Sequence, residues 1–290
     1  VKKGCLISLI VWAGSAAAYW YFLHARLTPP ADRYVPIAAG FVMMIAFAQL
    51  NTAFLHIREA RKVGERPQDG EPITAVGRIR ATGETLHAPF SGRAAVCYSY
   101  DIKDPAGTNK SRTNNYAGFA LTPSSIDTPS GAIRLLGFPV LEGFAKEQLH
   151  SDVAMINARS YIASTQFLDM SGMPLTTVFR EMKEIFTDDD GQVRKDWRMG
   201  DDPHLHGKQL FEQIVEPGTE VCAIGRYSTQ KGGIVPDFAG GNVVRLLRGD
   251  ASSIVRSLRM KATGLIIAAI GIAAAGNGML YLYVNNMFGR

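Results

Sequence analysis

Tyr34–Leu55 reads YVPIAAGFVMMIAFAQLNTAFL, and Ile73–Arg80 reads ITAVGRIR. The first stretch has no charged side chain. At about 1.5 Å per residue, a helix of that length crosses a hydrocarbon core of about 30 Å. The second alternates in the manner of a half-buried strand. Between them, Arg58–Glu71 is charged and contains Pro67 and Gly70, as expected of a helix exit followed by a linker. A membrane helix therefore hands the chain to a β-rich domain.

Two further stretches without charge, Cys5–Leu23 and Ala262–Gly289, are long enough to span. The layout is a two-helix transmembrane hairpin over 1–57, a β-rich domain over 71–250 and a C-terminal transmembrane helix over 262–287. The expected fold class is α+β, with a soluble β-rich domain, barrel-like in its core, flanked by two N-terminal helices and one C-terminal helix. Lys2 and Lys3 ahead of an apolar run, with Ala16, Ala17 and Ala18 inside it, also fit a cleaved signal. The length of the run and the second span close behind it favour the hairpin.

Charge at the span edges sets orientation. Arg58, Arg61, Lys62 and Arg66 follow the second span, and Arg245, Arg248, Arg256, Arg259 and Lys261 precede the third. Arg26 and Arg33 in the first link weigh against this asymmetry without reversing it. The expected arrangement puts the middle domain in the cytoplasm. With 20 Arg against 11 Lys, the composition leans towards a bacterial cytoplasmic membrane.

The net charge of +5 does not indicate a nucleic-acid partner, because Glu142–Glu220 holds 15 acidic and 8 basic side chains. The excess base lies beside the spans. Arg58, Arg61, Lys62, Arg256, Arg259 and Lys261 form the candidate lipid-facing set. Each basic group near anionic headgroups contributes roughly 1 kcal/mol of attraction, although topology alone requires such residues. Gly264, Ala268, Gly271 and Ala275 in the last span permit close helix packing, in a homo-oligomer or against the hairpin.

Cys5, Cys97 and Cys222 make an odd, scattered set and no disulfide framework. Asp188-Asp189-Asp190-Gly191 lacks calcium-loop spacing and reads as a hairpin turn. Asp201, Asp202, His204 and His206 are a weak metal set, interrupted by Pro203. No nucleophile elbow, zinc-protease motif, phosphate loop or dinucleotide fingerprint occurs. No cofactor, metal or catalytic residue is expected.

Within the domain, Ala94–Lys103 reads as one strand, with Val96, Tyr98 and Tyr100 on one face and Cys97 opposite. Thr108–Asn115 reads as a hairpin loop. Tyr116–Leu121, Ala132–Leu136 and Gln192–Met199 read as strands, the first two flanking a loop with Pro123, Pro129 and Gly131, and a strand over Thr176–Thr187 is expected to pair with the last of them. Glu142–Ala158 has the composition of a helix. Gln209–Val215 and Val221–Tyr227 read as a hairpin about Pro217-Gly218.

Three blocks carry a family resemblance. The first is Gly77-x-Ile79 followed by Thr82-Gly83-Glu84-Thr85-Leu86-x-Ala88-Pro89-Phe90-Ser91-Gly92 and Ala95-Val96-Cys97-Tyr98-Ser99-Tyr100. The second is Ser130–Leu135, and the third runs from Glu212 through Pro217, Gly218 and Val221 to Gly225. Over roughly 71–285 the chain resembles the GIDE domain, also called BAM for "beside a membrane", of MULAN-type membrane ubiquitin ligases. The family-motif positions are Gly77, Thr82, Gly83, Leu86, Pro89, Gly92, Cys97, Tyr98, Tyr100, Gly218 and Gly225. The resemblance implies a membrane-proximal binding, sensing or scaffold module with an unidentified protein partner. Two rival expectations are a ubiquitin-ligase component and a small channel or transporter subunit. The ligases carry a RING after the last span and a single N-terminal span. Here no RING ligand set is present and two spans come first, so no ligase mechanism carries over.

Overall fold

A computed structural model describes residues 3–24, 31–105, 114–171, 191–199, 207–236 and 244–285, with Leu27, Pro29 and Leu205 between them. The chain divides into two units. One holds the apolar helices, and the other covers 62–238 and 242–254. The Asp188–Asp190 turn, the strand over Thr176–Thr187, and Asp201, Asp202, His204 and His206 lie outside the described residues.

The helical unit contains α1 (Lys3–Leu23) and α2 (Ala31–Arg61), and most of a third apolar helix, Ala251–Val284. All three are long and apolar enough to cross a bilayer. Small residues set their spacing: a Cβ on Gly40 would lie 2.9 Å from Ala16 Cβ and from the Trp12 carbonyl. In hydrocarbon no hydrophobic force drives helices together, so close backbone packing and interhelical hydrogen bonds carry the association. Tyr19 Oη donates to Asn277 Oδ1 at 2.7 Å, and Asn277 Nδ2 donates to the Ala273 carbonyl at 2.8 Å. That satisfies an amide carried by an apolar helix. On the C-terminal helix, Ala262 and Ala269 are the buried small residues, and a Cβ on Gly276 would meet Val42. Gly264 and Gly271 face open space.

The β-rich unit begins with β1 (Pro72–Ala81). It pairs antiparallel on one side with β6 (Ser124–Thr128), which continues into β7 (Gly131–Leu135). On its other side it pairs with β13 (Glu220–Ser228), which turns into β14 (Gly233–Val235). A parallel pair, β14 with β7, closes the ring. Numbered along the chain, the five barrel strands run 1-2-3-5-4-1 with the 3–5 pair parallel. That is the connectivity of the Greek-key OB barrel. β15 (Arg245–Arg248) joins the first half of β13, and β8 (Val140–Glu142) joins β15. Ile79, Ile126, Ile133, Leu135, Val221 and Ala223 alternate inward and fill the barrel.

Two long insertions build a second sheet. Between barrel strands one and two come the short hairpin β2 (Leu86–His87) and β3 (Ala94–Ala95), then β4 (Cys97–Lys103) and β5 (Asn114–Leu121). Between strands three and four come β8, β9 (Lys146–Leu149), the helix α3 (Asp152–Ser164), β10 (Leu168–Asp169), β11 (Val193–Arg198) and β12 (Gln209–Val215). The sheet order is β10-β11-β5-β4-β12-β9. Its two faces follow from strand alternation. Cys97, Phe119, Leu121, Val193 and Val215 join the barrel core. Tyr98, Tyr100, Ile102, Tyr116, Ala120 and Leu210 face α3 through Ala154 and Ala158. Ser151 caps α3 by accepting from the Ala154 amide at 3.2 Å, worth about 1 kcal/mol. The last helix, Ala251–Val284, is α4.

The α+β class and the barrel agree with the sequence reading, and four details do not. Ala94–Lys103 is broken at Val96, whose amide donates to the Val215 carbonyl. Val96 therefore packs with Cys97 in the barrel core and not with Tyr98. Glu142–Ala158 is not one helix: Gly143 adopts φ +77, and β9 pairs with β12 before α3 begins. Ser124–Thr128, expected as loop, is barrel strand two. Finally, β12 and β13 do not pair with each other. The Pro217-Gly218 turn carries the chain from one sheet to the other, with Gly218 at φ +83, where a side chain would be strained.

Candidate functional site

Leu86, Pro89, Gly92, Tyr98 and Tyr100, singled out in the sequence, gather at the hairpin β2–β3 and the sheet face behind it. Leu86 pairs with Ala95 and His87 with Ala94. The Ala88 amide donates to the Arg93 carbonyl and the Gly92 amide to the Ala88 carbonyl, both at 2.9 Å. Gly92 sits at φ +72. This turn, with Pro89 in it, drives Phe90 into the core, where it is fully buried. Such a side chain contributes about 1.5–3 kcal/mol. Its ring lies edge-on to Tyr100 at 5.2 Å and to Tyr161 at 6.5 Å.

Glu212 holds the turn from beneath. It projects from β12, wholly buried, and accepts from the Phe90 amide at 2.5 Å and the Ser91 amide at 3.1 Å. Burial raises its pKa above the ordinary carboxylate value, and the hydrogen bonds from Ser91 and Phe90 oppose that rise. From α3, Asn157 Nδ2 donates to the Phe90 carbonyl at 2.9 Å. Both polar groups of the Phe90 backbone are thus satisfied by side chains.

A second polar cluster ties α3 to the sheet. Asp196 Oδ1 on β11 accepts from Tyr100 Oη at 2.6 Å and from Tyr161 Oη at 2.8 Å. Its Oδ2 accepts from Arg194 Nε at 3.0 Å. Tyr98 Oη lies 3.5 Å from Tyr161 Oη, and Arg194 stacks over the Tyr161 ring at 5.4 Å. Gly118 makes room: a Cβ there would stand 2.6 Å from Asp196 Oδ1. Burial, reinforced by Asp196, drives the Tyr100 phenol far above its usual range, and burial likewise raises Tyr98 and Tyr161. These phenols stay protonated donors at any physiological pH, and the carboxylate they face is saturated. Proton transfer is outside the reach of such a cluster. It clamps.

The other motif residues take separate structural places. Gly77 lies where β1 meets β6, and a Cβ would run into the Asp127 carbonyl. The Thr82 and Gly83 amides both donate to the Pro123 carbonyl. A Cβ on Gly225 would strike Ile234. Cys97 is fully buried, and burial pushes its thiol far up, so no thiolate is available. The sequence pointed to Tyr98, Tyr100 and the Leu86–Gly92 turn, which the fold brings together, and to Glu212 within its block. It did not point to Asn157, Tyr161, Arg194 or Asp196. They fall between the recognisable blocks, and only strand pairing reveals them.

Among the basic residues, Arg58 and Arg61 lie in the last turn of α2. Arg256, Arg259 and Lys261 are exposed on α4. Lys62 Nζ instead donates to the Pro72 carbonyl at 3.0 Å and pairs with Glu71 at 3.3 Å, which pins the start of β1. Among the described residues no group of His, Cys, Asp and Glu is placed to hold a metal. No protein-family model, curated protein or solved structure matches this chain.

Proposed function

We propose that the chain is a multi-pass membrane protein whose β-rich, GIDE-like domain acts on the cytoplasmic face as a membrane-proximal binding, sensing or scaffold module. One observation carries the reading. The β-rich unit is joined to membrane-length helices at both ends, through Lys62–Glu71 before β1 and through only Gly249 and Asp250 after β15. A domain held by connectors this short stays beside the bilayer. Its polar clusters at Glu212 and Asp196 serve internal order, which favours a binding module over an enzyme. Arg58, Arg61, Arg256, Arg259 and Lys261 supply attraction to anionic headgroups, falling with salt over a Debye length of about 8 Å.

The test is residue-specific photo-crosslinking in native membranes, with the photoreactive residue at exposed Val140 or Gln230. A single saturable protein adduct is expected. A diffuse ladder of abundant membrane proteins, unchanged by competitor, would remove the scaffold reading.

A further inference from the structure

Among the described residues, one edge of β1 is left without a strand partner over part of its length. The Ile79 amide donates to the Thr219 carbonyl at 3.0 Å, and its carbonyl accepts from Gly218 at 2.8 Å. Ile79 therefore turns both backbone groups towards β13. Successive residues of a strand face opposite edges, so Val76 and Thr74 turn theirs the other way. There β6 pairs only with Arg78–Ala81. Among the described residues, the one pairing below that point on this edge is a parallel bridge from Val63 to Thr74. The Val76 amide and carbonyl face a gap.

The gap is a cleft of about 200 Å³. Ile73, Ala75 and Ile133 form its apolar floor, and the β6–β7 turn its far wall. That wall is rigid: Thr128 Oγ1 donates to the Gly131 carbonyl at 2.7 Å and lies 3.0 Å from Ser130 Oγ. Glu65 and Arg66, both exposed, stand on the rim, and Arg66 has no carboxylate partner among the described residues. Gly77 fixes the geometry, since the close approach of Asp127 marks where the strands separate.

We infer that this cleft binds a short extended peptide by strand addition at Val76, with a carboxylate of the peptide on Arg66. Open strand edges recruit extended chains through backbone hydrogen bonds, while pockets for alternate side chains select among them. The cleft, open to solvent on one side, seats one or two residues of such a peptide. An arginine fork suits a carboxylate, supplied either by the peptide's C-terminus or by an acidic side chain. The cleft is built from the β-rich unit alone, so the inference does not depend on which side of a membrane the domain faces.

The experiment uses the full-length chain in detergent and fluorine-labelled peptides read by ¹⁹F line broadening. The probes are trifluoroacetyl-Val-Val-Val as the free acid, the same peptide as its amide, trifluoroacetyl-Val-Val-Asp amide, and the free acid N-methylated along its backbone. At least one acid should bind, and which one identifies the carboxylate's source. The neutral amide should bind about tenfold more weakly, the loss of one charge-assisted contact. The N-methylated acid should not bind. Arg66→Gln, on the surface, should lower the acid to the amide's level, whereas Glu65→Gln should not weaken it. Equal binding of acid and amide overturns the role of Arg66. Equal binding of the N-methylated peptide overturns strand addition, and no binding of either acid overturns the site.

Discussion

Glu212 Oε1 lies 2.5 Å from the backbone nitrogen of Phe90, a residue of another strand pair far earlier in the chain. The carboxylate takes the place a capping strand would otherwise fill. Glu212→Ala would leave the Phe90 and Ser91 amides without acceptors inside the core. We expect a loss of about 2–4 kcal/mol, from two unmade bonds to a charged group. Chemical denaturation in detergent, followed by Trp197 fluorescence in a variant lacking Trp12 and Trp20, measures it. A loss below about 1 kcal/mol would mean that water reaches the turn.

The same residue gives the domain a pH signature. The folded state raises the Glu212 pKa above its ordinary 4.5, so the folded chain keeps a proton that the unfolded chain has lost. Stability from this group is full below the unfolded pKa and declines as pH rises through the folded one. Glu212→Gln should flatten that limb of the stability profile. A profile unchanged by the substitution would show that Glu212 does not titrate in the window.

Tyr161→Phe should cost about 1 kcal/mol, since it removes one hydrogen bond to Asp196. Asp196→Ala should cost about 3 kcal/mol, because it also strands the buried Tyr100 hydroxyl and releases Arg194. The double variant should cost less than the sum, since both residues belong to one network. Strict additivity in the same denaturation assay would break the clamp into unrelated contacts.

Gly77 and Gly225 both lack room for a methyl group, yet their neighbours differ. Gly77 faces the backbone carbonyl of Asp127, and Gly225 faces the Cγ2 methyl of Ile234. Side chains yield more readily than paired strands. Gly77→Ala should therefore cost about 2–3 kcal/mol and Gly225→Ala about 1 kcal/mol, both by overpacking. The reverse order would indicate that the β1–β6 crossing is looser than its register implies.

For the proposed orientation, Gln230→Cys in a Cys5→Ser background should react with a membrane-impermeant maleimide only after the cells are opened. Cys97 and Cys222 are buried and stay silent. Reaction in intact cells would put the domain on the outer side.

Legibility from sequence tracked how local the determining signal was. The three spans were readable because uninterrupted apolar length is a property of contiguous residues. β1, β5, β7 and β13 announced themselves through alternation and flanking glycines. β9 did not: Lys146, Glu147 and Gln148 are helix formers, and only pairing with Phe211 and its neighbours makes them a strand. Ser124–Thr128 looked like a loop because prolines bracket it, although Pro123 and Pro129 lie just outside the ladder. The switch of sheets at Pro217-Gly218 was invisible, since a turn's sequence states that the chain reverses and not which strands it meets afterwards. For the same reason Asp196, carried on β11 among other charged residues, gave no sign of facing three donors.

The register Pro72 with Arg226 joins residues about half the chain apart. During synthesis β1 emerges early, directly behind two apolar helices, and waits for its partner while every strand of the second sheet is made. Through that interval its β13-facing edge stays unpaired, as does the inward row Ile73, Ala75 and Ile79. Long-range pairings of this kind form slowly and leave sticky edges in the meantime. The β6–β7 hairpin, joined by Pro129 and Ser130, can assemble first and shelter one edge of β1. Slowing the ribosome between β7 and β13 would lengthen a stage at which this protein is open to aggregation.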